Sequence, residues 1–253
     1  YMDRDYMVPE NDEDYAYVSQ LVQARGMRLG IEAHRRAKPY NMGTLYWQLN
    51  DCWPGISWSS IDHFGNWKAL HYEAKEAFEN ILISFKREGD QVDVYIVNDL
   101  LKNLEETLVL QLYDFKGNVL WSSSTAVEVD RNSSVLAQSF FVENMGDLDG
   151  NEVMLEAKYG DHTNTYFFEK PKNLALGEAE IHFEIQKVEQ GFSIDLTSPV
   201  LQKNIMLMAA VKGQFSDNYF DLKANEKKTI LFQTSSPLIG EVTYKSLNQL
   251  MKD

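Results

Sequence analysis

The sequence contains very little cysteine. Cys52 is the single cysteine among 253 residues, so no internal disulfide can form. No run of about 18 apolar residues is present that would span a bilayer. The N-terminal stretch YMDRDYMVPENDEDY has neither the basic start nor the apolar core of a signal peptide. The sequence therefore predicts a fold that depends on neither disulfides nor a membrane.

Basic residues are also scarce. There are 24 Lys and Arg against 38 Asp and Glu, which gives a net charge of -14. Nucleic acids and anionic membranes are therefore excluded as partners, because both require a basic surface. Glycine-rich phosphate loops are absent, and the five histidines lack the spacing of metal ligands. We expect no cofactor and no metal.

The first 80 residues have the pattern of helix, strand, loop and helix. A helical period runs from Asp14 to about Lys38 and is ended by Pro39. The run TLYWQL at 44–49 is typical of a buried strand, and KALHYEAKEAFEN returns to helix. The predicted apolar stripe of the first helix is Tyr15, Val18, Leu21, Val22, Ala24, Met27 and Ile31, with Arg25, Arg28 and Arg35 elsewhere around the helix. This order of elements is that of α/β barrels.

Beyond Ile81 the pattern changes to short alternating strands. About seven of them in residues 81–170 predict an immunoglobulin-like β-sandwich. A linker follows at 170–180, and five further strands predict a second small sandwich over 176–253. The predicted fold is mixed: a partial α/β (TIM) barrel over 1–80, followed by two immunoglobulin-like β-sandwich domains. We expect residues 1–80 to pack on the first sandwich, on a symmetry mate or on a second copy.

Four of the five tryptophans lie between 47 and 67, together with amides and carboxylates. Aromatic faces that stack on sugar rings and polar groups that bind hydroxyls are the usual content of a carbohydrate site. Asn50, Asp51 and Trp53 directly follow the predicted strand, where barrel active sites lie. The alternative is that the aromatics are core, that Asp51 fixes the loop, and that Asp62 to Asn66 form a solvated turn. Cys52 is expected to be a small buried thiol.

Residues 43–72, GTLYWQLNDCWPGISWSSIDHFGNWKALHY, closely resemble the last barrel strand and the following loop of glycoside hydrolase family 2 β-mannosidases. The preceding stretch QLVQARGMRLGIEAHRRAKPYNMG is similar to the helix before that strand. SDNYFDL at 216–222 is the most recognisable part of a looser resemblance further on. The chain also opens without an initiating Met, so we expect it to be the C-terminal part of a longer enzyme.

The resemblance implies a retaining mechanism with a nucleophilic glutamate and an acid/base glutamate. Neither family motif occurs here, so no catalytic residue is predicted in this chain. Trp47 is implied to stack on the terminal mannose, with Asn50, Asp51 and Trp53 shaping the wall of the pocket. The implied partners are a β-mannoside and the upstream part of the same polypeptide, with a homodimer left open. A periplasmic or extracellular location is favoured.

Two alternatives remain at this point. The sandwiches could form a non-catalytic carbohydrate-binding or structural module, in which case Trp121, Tyr219 and Phe220 should form an exposed aromatic row. A sister specificity, β-galactosidase or β-glucuronidase, is the other alternative. It ranks lower because L-Y-W-Q-L-N-D-x-W-P is the form that the strand takes in mannosidases.

Overall fold

The computed structural model describes residues 1–145 and 148–250, which contain four α-helices and fourteen strands. The helices are α1 (Met2–Asp5), α2 (Asp12–Arg36), α3 (Ala69–Ala77) and α4 (Leu247–Leu250). The first seven strands are β1 (Ile81–Glu88), β2 (Gln91–Asn98), β3 (Leu104–Asp114), β4 (Val119–Val129), β5 (Ser133–Phe141), β6 (Val153–Tyr159) and β7 (His162–Phe167). The others are β8 (His182–Val188), β9 (Gly191–Thr197), β10 (Gln202–Ala209), β11 (Gln214–Phe215), β12 (Phe220–Leu222), β13 (Lys228–Gln233) and β14 (Val242–Lys245). None of the helices within these residues is long and apolar enough to cross a bilayer.

Helix α2 begins and ends where its local sequence dictates. The Asn11 side chain caps it by accepting a 2.9 Å hydrogen bond from the backbone N–H of Asp14. Acidic residues fill the first turn and basic residues the last, which complements the helix dipole. The cap starts the helix two residues before the predicted Asp14. Pro39 stops it, with Ala37 as the C-cap.

The buried face of α2 differs from the predicted one. Tyr17 is buried, whereas Tyr15 is 49% exposed. The side chains of Arg28 and Arg35 are only 20% and 7% exposed, so the prediction that they lie away from the apolar stripe was wrong. The inward positions alternate in steps of four and three: Tyr17, Leu21, Ala24, Arg28, Ile31 and Arg35. The two arginines are tolerated there because each is paired with carboxylates.

The predicted strand at 44–49 is not formed, and this corrects the expectation of a barrel strand. Residues 41–49 are irregular, and Asn50 makes only an isolated parallel bridge with Ile61. A barrel strand requires a neighbour on each side to satisfy its backbone. Within the described part of the chain, no backbone–backbone hydrogen bond reaches residues 44–47. Residues 1–80 therefore contain packed helices and a long loop, without a barrel sheet.

Residues beyond Ile81 form the two predicted β-sandwiches. The first has antiparallel sheets in the orders β1-β2-β5 and β4-β3-β6-β7. Leu108 and Leu110 of β3 are fully buried and belong to one core with Val94 and Ile96 of β2. Because side chains alternate along a strand, one face of each sheet points into this core.

The second sandwich has sheets in the orders β12-β10-β14 and β11-β13-β9-β8. Its core contains Ile194 and Leu196 of β9 with Ile205 and Leu207 of β10. Five strands were predicted here, and the structure adds the short β11 and β12. The linker between the sandwiches contains a short 3-10 helix at Pro171–Asn173 and is otherwise irregular up to the start of β8.

The helical region packs against both sandwiches, which is more than the sequence indicated. The Tyr17 hydroxyl donates to the backbone oxygen of Asn204 in β10 of the second sandwich, at 2.5 Å. Arg28 donates to the side-chain oxygen of Asn164 in β7 of the first sandwich, at 3.1 Å. Tyr17 also shares an apolar cluster with Tyr219. Residues near the N-terminus and strands near the C-terminus thus share one buried interior.

Candidate functional site

The segment that carries the predicted site residues is organised around a short stretch of paired backbone. The N–H groups of Ser60 and Ile61 donate to the carbonyl of Leu49, at 3.2 and 2.8 Å. The Asp51 N–H donates to the Ile61 carbonyl at 3.1 Å. Ile61 also forms an antiparallel bridge with Trp67 just before α3. Residues 49–51 are therefore tied to the start of α3, which packs in the buried helical cluster.

Two of the four predicted site residues present aromatic faces to solvent. Trp47 and Trp53 are each 74% exposed. Trp47 precedes the paired backbone, and its peptide bond to Gln48 is cis. Trp53 lies in the loop that follows. The alternative that these tryptophans are core is therefore not what the structure shows.

Asn50 is exposed and has little to hold it. Its side-chain NH2 donates to the backbone carbonyl of Asp51 at 3.3 Å. The backbone carbonyl of Asn50 accepts from Gln48 Nε2 at the same distance. These bonds are local and weak, so the amide remains accessible to a ligand.

Asp51 is the best-anchored residue of the site. Its carboxylate accepts hydrogen bonds from the hydroxyls of Ser57, at 2.7 and 2.9 Å, and Ser59, at 2.6 Å. Lys68 Nζ lies 3.6 Å from the same carboxylate and donates to Ser59 Oγ at 2.8 Å. Hydrogen bonds from Ser59 and Ser57, together with the charge of Lys68, hold the pKa of Asp51 below its usual value. We call these four residues the Asp51 clip.

A second polar group lies on the inner side of the same segment. Ser60 Oγ contacts Tyr46 Oη at 2.9 Å, His71 Nδ1 at 3.0 Å and the Leu49 carbonyl at 2.9 Å. Burial, with the nearby Lys75 charge, lowers the pKa of His71. The ring is therefore neutral near pH 7 and links α3 to the segment that carries Trp47.

The stretch from Asp62 to Asn66 is a tight turn, as the alternative interpretation proposed. Asp62 Oδ1 accepts from the N–H groups of Phe64 and Asn66 at 2.8 and 2.9 Å, and Gly65 takes a positive φ of 86°. Partial burial acts to raise the pKa of the Asp62 carboxyl, but the hydrogen bonds from Asn66 and Phe64 outweigh it and lower the pKa. The sequence DHFGN at 62–66 recurs as DFKGN at 114–118 between β3 and β4, with the same bonds to Asp114.

Residues 40–64 expose an unusually apolar surface. Leu45 is 99% exposed and has no contact that would explain an apolar residue in that position. The other large apolar side chains exposed here are Tyr40, Met42, Trp47, Leu49, Trp53, Ile56, Trp58 and Phe64. Such a surface is typical of a region that another part of a protein covers.

Two crevices in the described part of the chain lie away from this surface. One, of about 630 Å³, is lined by the loop around Leu101 and Asp130 at one end of the first sandwich. Another, of about 400 Å³, is lined by residues 6–11, Pro171 and Leu247. Neither includes a predicted site residue.

The structure also gives the position of Cys52 and of the residue types that can bind a metal ion. The Cys52 thiol is exposed in the loop, so the expectation of a buried thiol was wrong. The residues around it are in a loop that projects from its anchored ends, which leaves no core for it to enter. Among residues 1–145 and 148–250, no three His, Cys, Asp or Glu side chains are grouped to hold a metal ion.

Sequence reasoning missed the residues that hold the site. Ser57, Ser59, Ser60, Lys68 and His71 contact the predicted segment through their side chains. A signal was present in the order Ser57-Trp58-Ser59. Alternation with a period of two places both hydroxyls on one side and the indole on the other.

The aromatic row proposed for a carbohydrate-binding module is not present. Tyr219 and Phe220 are 6% and 7% exposed and belong to apolar clusters, and Trp121 is partly buried against the core of the first sandwich. The sandwiches therefore lose the observation that would have favoured an independent binding function.

Comparison with known families matches both sandwiches. Residues 90–173 match the Mannosidase Ig/CBM-like domain, and residues 176–250 match an Ig-fold domain. Both are therefore immunoglobulin-like, as predicted.

Proteins similar to the chain include β-mannosidases. The chain is 28% identical to mouse (Mus musculus) β-mannosidase over 89% of its own length and 28% of that protein. It is 26% identical to β-mannosidase A of Aspergillus clavatus, over 94% of the chain and 28% of the relative. The chain thus spans less than a third of the length of these relatives.

Solved structures show the same likeness. The crystal structure of β-D-mannosidase from Dictyoglomus thermophilum superposes with a TM-score of 0.85 at 25% identity, over 97% of this chain and 31% of that one. An exo-chitosanase of Amycolatopsis orientalis shares the fold, with a TM-score of 0.71 at 18% identity, over 94% of this chain and 34% of that one. Taken with the two domain matches, the likeness to β-mannosidases confirms the resemblance drawn from residues 43–72.

Proposed function

We propose that this chain is the C-terminal portion of an exo-acting, retaining β-mannosidase that releases terminal β-D-mannose from β-mannosides. The observation that carries the proposal is the exposed aromatic surface around Trp47 and Trp53, in a segment whose sequence resembles the last barrel strand and the following loop of the family. Its relatives from mouse and Aspergillus clavatus are β-mannosidases. An open surface of this kind is half of a pocket, and the upstream polypeptide supplies the other half.

In this proposal residues 1–80 complete the catalytic barrel, residues 81–170 form the first sandwich and residues 176–253 the second. The unpaired backbone at 44–47 supports the barrel assignment, because upstream strands would bond both of its edges. The exposure of Leu45 supports it too, since a neighbouring strand or helix would cover that side chain. The sandwiches pack against α2 and α3. Through α3 they fix the position of the segment that carries Trp47.

The carboxyls of the candidate site are not suited to act as the general acid. A general acid for glycoside cleavage needs a carboxyl with a raised pKa, so that it is protonated near neutral pH. The two carboxyls of the site, Asp51 and Asp62, both have lowered pKa values and are occupied by hydrogen bonds. These two carboxyls are therefore unsuited to act as the general acid. We assign the nucleophile and the acid/base to glutamates of the upstream polypeptide, because neither of the family motifs that carry them occurs in this chain. Trp47 stacks on the terminal mannose, while Asn50, Asp51 and Trp53 shape the wall.

The test is a panel of aryl β-glycosides with the full-length parent enzyme. We expect β-mannoside to be preferred over β-galactoside and β-glucuronide. Trp47→Ala should lower kcat/KM by at least about tenfold, because a stacking face on the bound sugar is lost. Trp47→Phe, which keeps an aromatic face, should lose less.

The 253-residue chain by itself should not turn over an aryl β-mannoside. Turnover by this chain alone would overturn the assignment of the catalytic carboxylates to another segment. A preference of the parent for galactoside or glucuronide would overturn the substrate.

A further inference from the structure

The loop between Asp51 and Ser59 is closed at its base by side chains. The Asp51 carboxylate at one end bonds the hydroxyls of Ser57 and Ser59 at the other. Ser59 is fully buried, whereas the residues between, Cys52 to Ile56, are exposed. The exposed tip, with Trp53, is thus fixed through contacts made at its base.

A network of hydrogen bonds holds this base, and in it Ser57 Oγ also lies 3.0 Å from Ser59 Oγ. Each serine hydroxyl has one proton, and each donates it to Asp51. Each hydroxyl oxygen then accepts from nitrogen: Ser57 Oγ from the backbone N–H of Ser59 at 3.1 Å, and Ser59 Oγ from Lys68 Nζ at 2.8 Å. Bonds to a charged carboxylate are stronger than neutral ones. The Asp51 oxygens are therefore turned toward the protein and engaged before any ligand arrives.

On the basis of the proposed function, we infer that Asp51 is a positioning residue: it acts on the sugar through the 52–58 loop and Trp53, and does not bind the sugar itself. The neighbouring Asn50, whose amide is exposed and weakly held, is the polar group of this pair that is free to contact a hydroxyl. Lys68 is the N-cap residue of α3, so it connects the Asp51 clip to the buried helical cluster.

The decisive comparison is a mutant cycle in the full-length enzyme, with Asp51→Ala, the double variant Ser57→Ala/Ser59→Ala, and the triple variant. The loop should lose its fixed position equally in all three. We expect KM for an aryl β-mannoside to rise about tenfold in each, with kcat within about twofold of the parent, because uniform binding is lost and the reacting groups are untouched. The triple variant should be no worse than Asp51→Ala. Ser57→Thr in the otherwise unchanged enzyme keeps the hydroxyl, and its KM should equal that of the parent.

Asp195→Ala is a matched control. The Asp195 carboxylate also accepts from a hydroxyl and a lysine, Thr229 at 2.6 Å and Lys227 at 2.7 Å, but on the second sandwich. It should leave KM unchanged. If Asp51→Ala lowers kcat far more than the serine double variant, or if the effects add, Asp51 contacts the sugar and the inference is wrong.

Hydrogen exchange on the 253-residue chain tests the Asp51 clip without an activity assay. The backbone N–H groups of Asp51, Ser59, Ser60 and Ile61 donate hydrogen bonds at the base of the loop. They should exchange at least about tenfold faster in Asp51→Ala and in the serine double variant, and at parental rates in Asp195→Ala. Unchanged exchange in Asp51→Ala would overturn the inference. Failure of the proposed function would give a different result. The unmodified parent would then not turn over a β-mannoside, while the exchange rates would still show whether the Asp51 clip fixes the loop.

Discussion

The Tyr17 hydroxyl in α2 donates a 2.5 Å hydrogen bond to the backbone oxygen of Asn204 in β10, 187 residues further along the chain. Asn204 has a positive φ of 54° at an irregular point of its strand, where the carbonyl is turned out of the ladder. The Tyr17 ring also stacks against Tyr219, with ring centroids 6.5 Å apart. This contact links the helical region to the second sandwich.

Tyr17→Phe should therefore destabilise the chain by about 1–3 kcal/mol, because a buried carbonyl loses its donor. Urea unfolding followed by circular dichroism measures this. Tyr15→Phe makes the same chemical change at a residue that is 49% exposed, and should change the free energy of unfolding by less than about 0.5 kcal/mol. Equal effects of the two substitutions would show that the Tyr17 bond does not stabilise the fold.

Arg28 holds three carboxylates where α2, α3 and the first sandwich meet. It lies 2.9 Å from both Glu32 and Glu76 and also pairs with Glu73. Arg28→Met should cost about 3–5 kcal/mol in the free energy of unfolding, because partly buried carboxylates lose their cation.

The control for Arg28 is Arg131→Met, at an exposed residue, which should be close to neutral in the same urea titration. The cause is tested by adding Glu73→Gln and Glu76→Gln to Arg28→Met. If repulsion between unpaired carboxylates is the cause, these changes should recover part of the loss, and no recovery would contradict it.

Glu76 makes stability depend on pH in this same cluster. Burial raises its pKa to about 7; the Arg28 charge opposes this, and the Glu73 and Asp217 carboxylates add to it. Between the ordinary carboxyl range and pH 7 the folded chain then binds more protons than the unfolded chain at this site. Its contribution to stability is present at low pH and is lost as the pH rises through about 7.

Glu76→Gln removes this titration while keeping an oxygen that accepts from Arg28. The variant should gain in urea midpoint relative to the parent as the pH is raised from 5 to about 8.5. Glu128→Gln, at an exposed residue of β4, should show no such trend. A gain that is the same at both pH values would rule out titration of Glu76 as the source.

The paired turns DHFGN and DFKGN allow a backbone effect to be separated from a packing effect. Gly65 and Gly117 have φ values of 86° and 90°. A Cβ at Gly65 would meet nothing within 4 Å, whereas one at Gly117 would lie 2.9 Å from the backbone oxygen of Ala224. Both alanine variants should lose roughly 1–2 kcal/mol for the left-handed backbone.

Only Gly117→Ala should lose more, by at least about 1 kcal/mol, because the turn packs against the second sandwich through Ala224. Urea unfolding of both variants gives the difference. Equal losses would mean that the contact between the sandwiches at this turn yields without cost.

Local patterns were sufficient for much of this fold. Helix α2, the seven strands of the first sandwich and the break at Pro39 all follow from periodicity and backbone chemistry. The prediction failed where burial depends on a distant partner. Arg28 was predicted to lie away from the apolar stripe of α2, although it lies on the inner face, where Glu32, Glu73 and Asn164 contact it.

The candidate site shows the same division. The aromatic segment and its resemblance were visible in residues 43–72, but the strand predicted at 44–49 is absent, because a strand needs neighbours that the described chain does not place there. The Asp51 clip was only partly visible, as the spacing of Ser57 and Ser59.

The sequence by itself determined the order of the elements, the two sandwiches and the segment that carries the site chemistry, because hydrophobic period, turn residues and motif are properties of neighbours along the chain. Only the tertiary structure decided which polar groups are paired: Tyr17 with Asn204, Arg28 with its carboxylates, and Asp51 with Ser57, Ser59 and Lys68. Pairing decides whether a buried charge or hydroxyl is tolerated, and most of these partners come from other elements that only the folded backbone brings together.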